Sequence, residues 1–151
     1  MAKVLRNQTE VFLDVVEESK NFGEYNDCTV KSIAITTGVA YNKVHAALKK
    51  VGRKDRKGAT ICQMQSACLD LGFMMKVVAT KRFKDNYPAA GRKLKNITTN
   101  HPERFNKAWK DGNNYILSCR SHVAPVVDGV NHDWTLGRKY RVNMVYEVFP
   151  V

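Results

Sequence analysis

Three side chains in this chain have the types and placement to do chemistry together: Cys28, His122 and Asp133. In the stretch SHVAPVVDGVNHDW, Ser121 to Trp134, Asp128-Gly129 sits between two apolar runs. That is a strong local signal for a two-residue β-hairpin. With the turn there, Val127 faces Val130, Val126 faces Asn131 and Ala124 faces Asp133. Side chains alternate along a strand, so His122 shares a face with Ala124 and is a diagonal neighbour of Asp133. His132 points to the opposite face. An imidazole steadied by a carboxylate is the orienting half of a nucleophilic triad and needs a nucleophile from elsewhere. The plainer alternative is a polar pair on a solvated strand face.

Cys28 is the candidate nucleophile. In NDCTVKSIAITTG, Val30, Ile33, Ala34 and Thr37 recur at helical spacing, and Gly38 ends the run as a C-cap does. Asn26 or Asp27 is a suitable N-cap, which puts Cys28 in the first turn. Free backbone N–H groups and the positive end of the helix dipole favour a thiolate there. Asp27 works against this locally. Read plainly, Cys28 is a small residue at a helix start.

Other elements must bring these distant residues together. Residues 7–20 carry Val11, Phe12, Val15 and Val16 on one stripe, which predicts an amphipathic helix. A second helix after Gly38, Ala40 to Lys50, has Tyr41, Val44, Leu48 and Val51 inward, with His45 at the border of the stripe as a core histidine. Thr60-x-x-Gln63 is a capping box that opens a helix with Ile61, Met64, Cys68 and Leu71 inward, stopped by Gly72. Phe73 to Thr80 reads as a strand. Asn100-x-x-Glu103 starts a short helix bearing Phe105 and Trp109. From Tyr115 the chain is strand, and Tyr140, Val142, Met144, Tyr146 and Val148 alternate onto one side. Helices first and an antiparallel sheet last make an α+β domain.

At 151 residues the chain suits one domain, 1–151, with a real core. No apolar run reaches the roughly 18 to 20 residues that span a membrane. MAKVLRNQTEVF lacks the continuous apolar segment of a signal peptide. Four cysteines without paired spacing suit a reducing cytosol, so a cytoplasmic location is expected. Neither a cofactor nor a metal is expected; a zinc site from Cys119, His122 and His132 is disfavoured because the hairpin splits its histidines.

Charge is uneven. The net charge is +11, yet residues 49–110 hold 16 Lys/Arg against 4 Asp/Glu. Such a field favours an acidic partner, nucleic acid or acidic protein, unless it serves only solubility. The candidate polyanion-binding residues are Lys49, Lys50, Arg53, Lys54, Arg56 and Lys57, with Lys81, Arg82, Lys84, Arg92, Lys93 and Lys95. Neither a zinc finger nor an aromatic-rich RNA-binding motif is present.

A Cys at a helix start, then a His at a strand start and a carboxylate on the next strand, is the papain-like order. NDCTVKSIAITTG resembles the start of the double-glycine leader peptidases of bacteriocin exporters. Both motifs together look most like small papain-like proteins often encoded by bacteriophages. The resemblance covers the helical half to about Gly58 and the strands from Tyr115; the basic middle lies outside it. It implies a papain-like fold, Cys28 as nucleophile, His122 as general base and acid, and Asp133 as orienting group. It also implies a peptide or protein substrate and, for a phage protein, the host cytoplasm. Two positions depart from the pattern. Phe22 stands where the family places its oxyanion Gln, leaving Asn21 or Asn26 as substitutes, and Thr29 replaces the usual Gly after the Cys. Loss of one oxyanion donor typically costs ~10²–10³ in rate. The leading expectation is a cysteine hydrolase of the peptidase or amidase type. The alternative is a non-catalytic scaffold that binds nucleic acid or an acidic host protein through the basic middle.

Overall fold

A computed structural model of the chain describes residues 8–80, 112–136 and 142–151. The order of elements is α1 (Glu10–Asn21), α2 (Cys28–Thr37), α3 (Tyr41–Lys50), α4 (Ile61–Asp70), β1 (Phe73–Thr80), β2 (Asn114–Cys119), β3 (His122–Val127), β4 (Val130–Asn131) and β5 (Val142–Pro150). This is an α+β arrangement with helices N-terminal and an antiparallel sheet C-terminal. The expected helix at 100–109 and the strand position of Tyr140 lie outside the described residues. Among the described residues, no helix is long and apolar enough to cross a membrane.

Local chemistry accounts for the helix ends. Thr9 caps α1 by accepting from the Phe12 N–H, and Thr60 and Gln63 form a reciprocal capping box at α4. Gly38 ends α2 at φ 74°, a left-handed position that a Cβ disfavours. The buried face of α1 is Phe12, Val15 and Ser19, whereas Val11, expected inward, is exposed. Ser19 is inward because its hydroxyl has a buried partner, described below.

The strands are ordered β1-β5-β2-β3-β4, every neighbouring pair antiparallel. Val126 pairs with Asn131 and Val127 with Val130, so the hairpin turns at Asp128-Gly129 as expected. Both turn residues have positive φ, 48° and 75°, the type I′ geometry that matches strand twist. A register shift between Ser118 and Cys119 sets Val142 opposite Cys119, so Val142 is out of line with Met144, Tyr146 and Val148, contrary to the simple alternation.

The helices cover one sheet face. Val30, Ile33, Val44, Leu48 and Met64 pack with Met75, Ile116, Val123, Tyr146 and Val148 in one core. α2 lies against β3 and β2, and α4 against β1. Packing α2 on β3 sets the start of the helix beside the start of the strand. Cys28 and His122 occupy those two positions.

Candidate active site

The start of α2 is shaped by Asp27. Its side chain makes no capping bond to the helix. Instead it accepts hydrogen bonds from the Ser19 and Tyr41 hydroxyls, both at 2.6 Å, and Lys31 Nζ lies 3.1 Å away. Burial raises its carboxyl pKa, but those two hydroxyls and Lys31 hold it below the usual range. The first-turn N–H groups of α2, which have no intrahelical acceptor, are thus left without a side-chain cap beside Cys28.

The His122 ring is held from the other side. A carboxylate can only accept, so His122 Nε2–H donates to Asp133 Oδ2 at 2.7 Å. The same oxygen accepts the Thr135 hydroxyl at 2.7 Å and the Thr135 N–H at 3.3 Å, and Asn131 Nδ2 donates to Thr135 Oγ1 at 3.0 Å. This side-chain-to-backbone loop is an Asx turn. With Nε2 committed, Nδ1 is the ring atom left for sulfur, and Cys28 and His122 are close enough to shift each other's pKa.

Electrostatics follow from this chain of contacts. Burial pushes the Cys28 thiol up, but the His122 hydrogen bond, the Val123 backbone and the His122 charge outweigh it, and the pKa is lowered. The opposing charge is that of Asp133, which has the smaller effect. Burial would lower the His122 pKa, yet Asp133 and Cys28 push it up to about 9. The other described thiols with a resolved shift move the opposite way. Burial pushes Cys68 up to about 12 and, helped by nearby negative charge, Cys119 up to about 11.

Cys28, His122 and Asp133 line one open cleft of about 430 Å³. Its other walls are Phe12, Asn26, Asp27, Lys31, Gly58, Ser121 and Trp134. Trp134 is half exposed, its ring centroid 5.3 Å from that of His122. Asn26 and Ser121 have positive φ, 55° and 59°. Left-handed backbone at residues other than Gly gathers at functional sites.

The sequence candidates divide accordingly. Of the two oxyanion candidates, Asn26 lines the cleft; Asn21 is exposed at the end of α1 and does not. Phe22 packs edge-on to Tyr41, centroids 5.2 Å apart, and against His45. Thr29 is buried and outside the lining, so it does not narrow the cleft. His132 turns away to Thr9 Oγ1 at 2.7 Å, which leaves the zinc set of Cys119, His122 and His132 unassembled.

Among the basic candidates, Arg53 is a correction. It is buried, with Nη1 and Nη2 each 3.1 Å from Glu24 oxygens, and cannot belong to an exposed polyanion surface. Lys49 and Lys50 are exposed and lie 3.8 and 3.7 Å from Asp55 and Asp70. Lys54, Arg56 and Lys57 are exposed. Lys81, Arg82, Lys84, Arg92, Lys93 and Lys95 lie outside the described residues. Glu24, His45 and Asp55 could offer ligand atoms to a metal, but both Glu24 oxygens already accept from Arg53, one also from the Arg56 N–H and the other from His45.

Sequence reasoning missed Thr135, Trp134, Glu24 and the Ser19–Asp27–Tyr41 set. Only Thr135 had a local signal, the Asp-x-Thr spacing of an Asx turn. No family model matches the chain, and no match was found among curated proteins or solved structures.

Proposed function

We propose that this protein is a papain-like cysteine hydrolase acting on an amide or ester bond through Cys28, His122 and Asp133. The observation that carries the reading is the connected set: thiol at a helix start, imidazole against it, carboxylate behind the imidazole, all on one open cleft.

In this reading the Cys28 thiolate attacks the carbonyl carbon. The oxyanion is met by the Cys28 backbone N–H, free in the first helical turn, and by the Asn26 amide from the cleft wall. His122 gives its proton to the leaving amine or alcohol, and the acyl group stays on sulfur. Water then attacks the thioester while His122 takes its proton, releasing the acid and restoring the thiolate–imidazolium pair. Asp133, fixed by Thr135, keeps the ring turned so that Nδ1 faces sulfur.

Iodoacetamide labelling at pH 6–7, read by mass spectrometry, tests the nucleophile. Cys28 is expected to label far faster than Cys62, which is exposed, and than buried Cys68 or half-buried Cys119. His122→Ala should slow Cys28 alone. Equal rates after allowance for burial would remove Cys28 as nucleophile.

A further inference from the structure

The loop between α3 and α4 borders the cleft through Gly58, and it is fastened from inside the protein. Glu24, buried in the α1–α2 connection, accepts from both terminal nitrogens of Arg53 at 3.1 Å, from the Arg56 N–H at 2.8 Å and from His45 Nε2 at 2.7 Å. Asn26, itself a cleft residue, reaches the Arg56 carbonyl at 3.4 Å. Arg56 is held at φ 63°, strained for a residue with a side chain. A buried carboxylate with four donors therefore fixes the path of a loop whose basic side chains beyond Arg53 face solvent.

Those side chains are Lys54, Arg56 and Lys57, which have no carboxylate partner among the described residues. Their neighbours do: Lys31 pairs with Asp27, Lys49 with Asp55, Lys50 with Asp70 and Arg53 with Glu24. Among the described residues Lys20, Lys43, Lys76 and Arg120 also lack such a partner, but they stand singly; on this loop three such cations fall within four residues, beside the cleft residue Gly58.

We propose that the Lys54–Lys57 segment is an anion-recognising subsite of the Cys28 cleft, and that the substrate is a peptide or protein with acidic side chains beside the bond attacked. This rests on the hydrolase reading. A nucleophilic sulfur needs an acyl carbon, which an acidic peptide offers along with its carboxylates. A nucleic acid offers the anions without that carbon.

Two irreversible peptide reagents test it, acetyl-Glu-Glu-Ala-Gly chloromethyl ketone and its Gln-Gln counterpart. Each labelling rate at Cys28 is divided by the iodoacetamide rate of the same protein. The acidic reagent is expected to be about fivefold faster in low salt, with the preference falling to near one in the K54Q/R56Q/K57Q variant. These substitutions leave the backbone contacts of Arg56 to Glu24 and Asn26 in place. Equal rates in the unmodified protein, or a preference that survives the triple substitution, would overturn the proposal.

Failure of the hydrolase reading shows separately, as Cys28 labelling no faster than Cys62 with iodoacetamide. Fluorescence anisotropy of a fluorescein-labelled Glu-rich decapeptide on Cys28→Ala protein then decides the loop on its own. Binding lost in the triple variant keeps the loop as an acidic-peptide surface. No binding, or tighter binding of a single-stranded oligonucleotide of equal charge, overturns it.

Discussion

At His122 the carboxylate of Asp133 and the sulfur of Cys28 together overcome burial, and the ring is pushed up to about 9. The charged imidazole stabilises the folded chain fully below its ordinary value of 6.5, and that contribution is lost as pH rises through about 9. The same protonation supports the thiolate of Cys28 and attracts an anionic reagent, so rapid alkylation by iodoacetate is expected over a plateau. The plateau begins at the lowered pKa of Cys28 and ends as His122 loses its proton. Asp133→Asn removes the charge and keeps a carbonyl for Thr135. The alkaline limb of the labelling profile should then move down from about 9 by roughly one to two pH units, the range expected for loss of an adjacent opposite charge. An unmoved limb would mean that Asp133 orients the ring without affecting its proton. Thr135→Val, which frees the carboxylate without removing its charge, should shift the limb less.

At the scale of elements, what was legible had a local signature. Thr60 and Gln63 gave away the start of α4, Gly38 the end of α2 and Asp128-Gly129 the turn that lines His122 up with Asp133. What was illegible depends on contacts between residues far apart in sequence. Glu24 is 29 residues from Arg53 and 32 from Arg56, and no periodicity announces such a pair. Arg53 reads as one more cation in a basic loop until a buried carboxylate is found opposite it. Phe22 likewise reads as a lost oxyanion donor, whereas its ring packs the α1–α2 connection onto α3.

The Glu24 cluster has its own test. Burial raises this carboxyl, but Arg53, His45 and the Arg56 N–H hold it at about 2, against an ordinary 4.5. Its stabilisation is therefore present above 4.5 and lost as pH falls toward 2. Glu24→Gln strands the buried guanidinium of Arg53 and should cost roughly 3 kcal/mol at pH 7. The loss should shrink on acidification below 4.5, as measured by urea unfolding at several pH values. Hydrogen exchange at the Arg56 amide should rise well above the global change, since that N–H bonds directly to Glu24. A cost that stays constant from pH 7 to 3 would assign the stability to packing instead.

At the scale of the molecule, the excess of positive charge and the cleft can be related through the sheet. β1 and β2 both pair antiparallel with β5, so they run parallel to each other with β5 between. Thr80 pairs with Met144, which also pairs with Ser118, one step from Cys119 and its partner His122. The chain therefore leaves β1 at the end of the sheet where His122 lies, and the residues that follow, from Lys81 to Asp111, hold nine Lys/Arg against three Asp/Glu. Two sources of positive potential then act on an anion nearing Cys28: the local loop and the net +11 of the whole chain. Salt separates them, because the screening length falls from about 30 Å at 0.01 M to about 8 Å at 0.15 M. The ratio of iodoacetate to iodoacetamide labelling at Cys28 should fall several-fold across that interval as the distant charges are screened. A residual preference for iodoacetate should persist at 0.15 M, carried by His122 and the nearby cations. In the K54Q/R56Q/K57Q variant the salt-dependent fall should largely remain while the residual shrinks. Were the fall itself abolished by those three substitutions, the field at the cleft would be wholly local, and the charge after residue 80 would have no part in drawing an anion to Cys28.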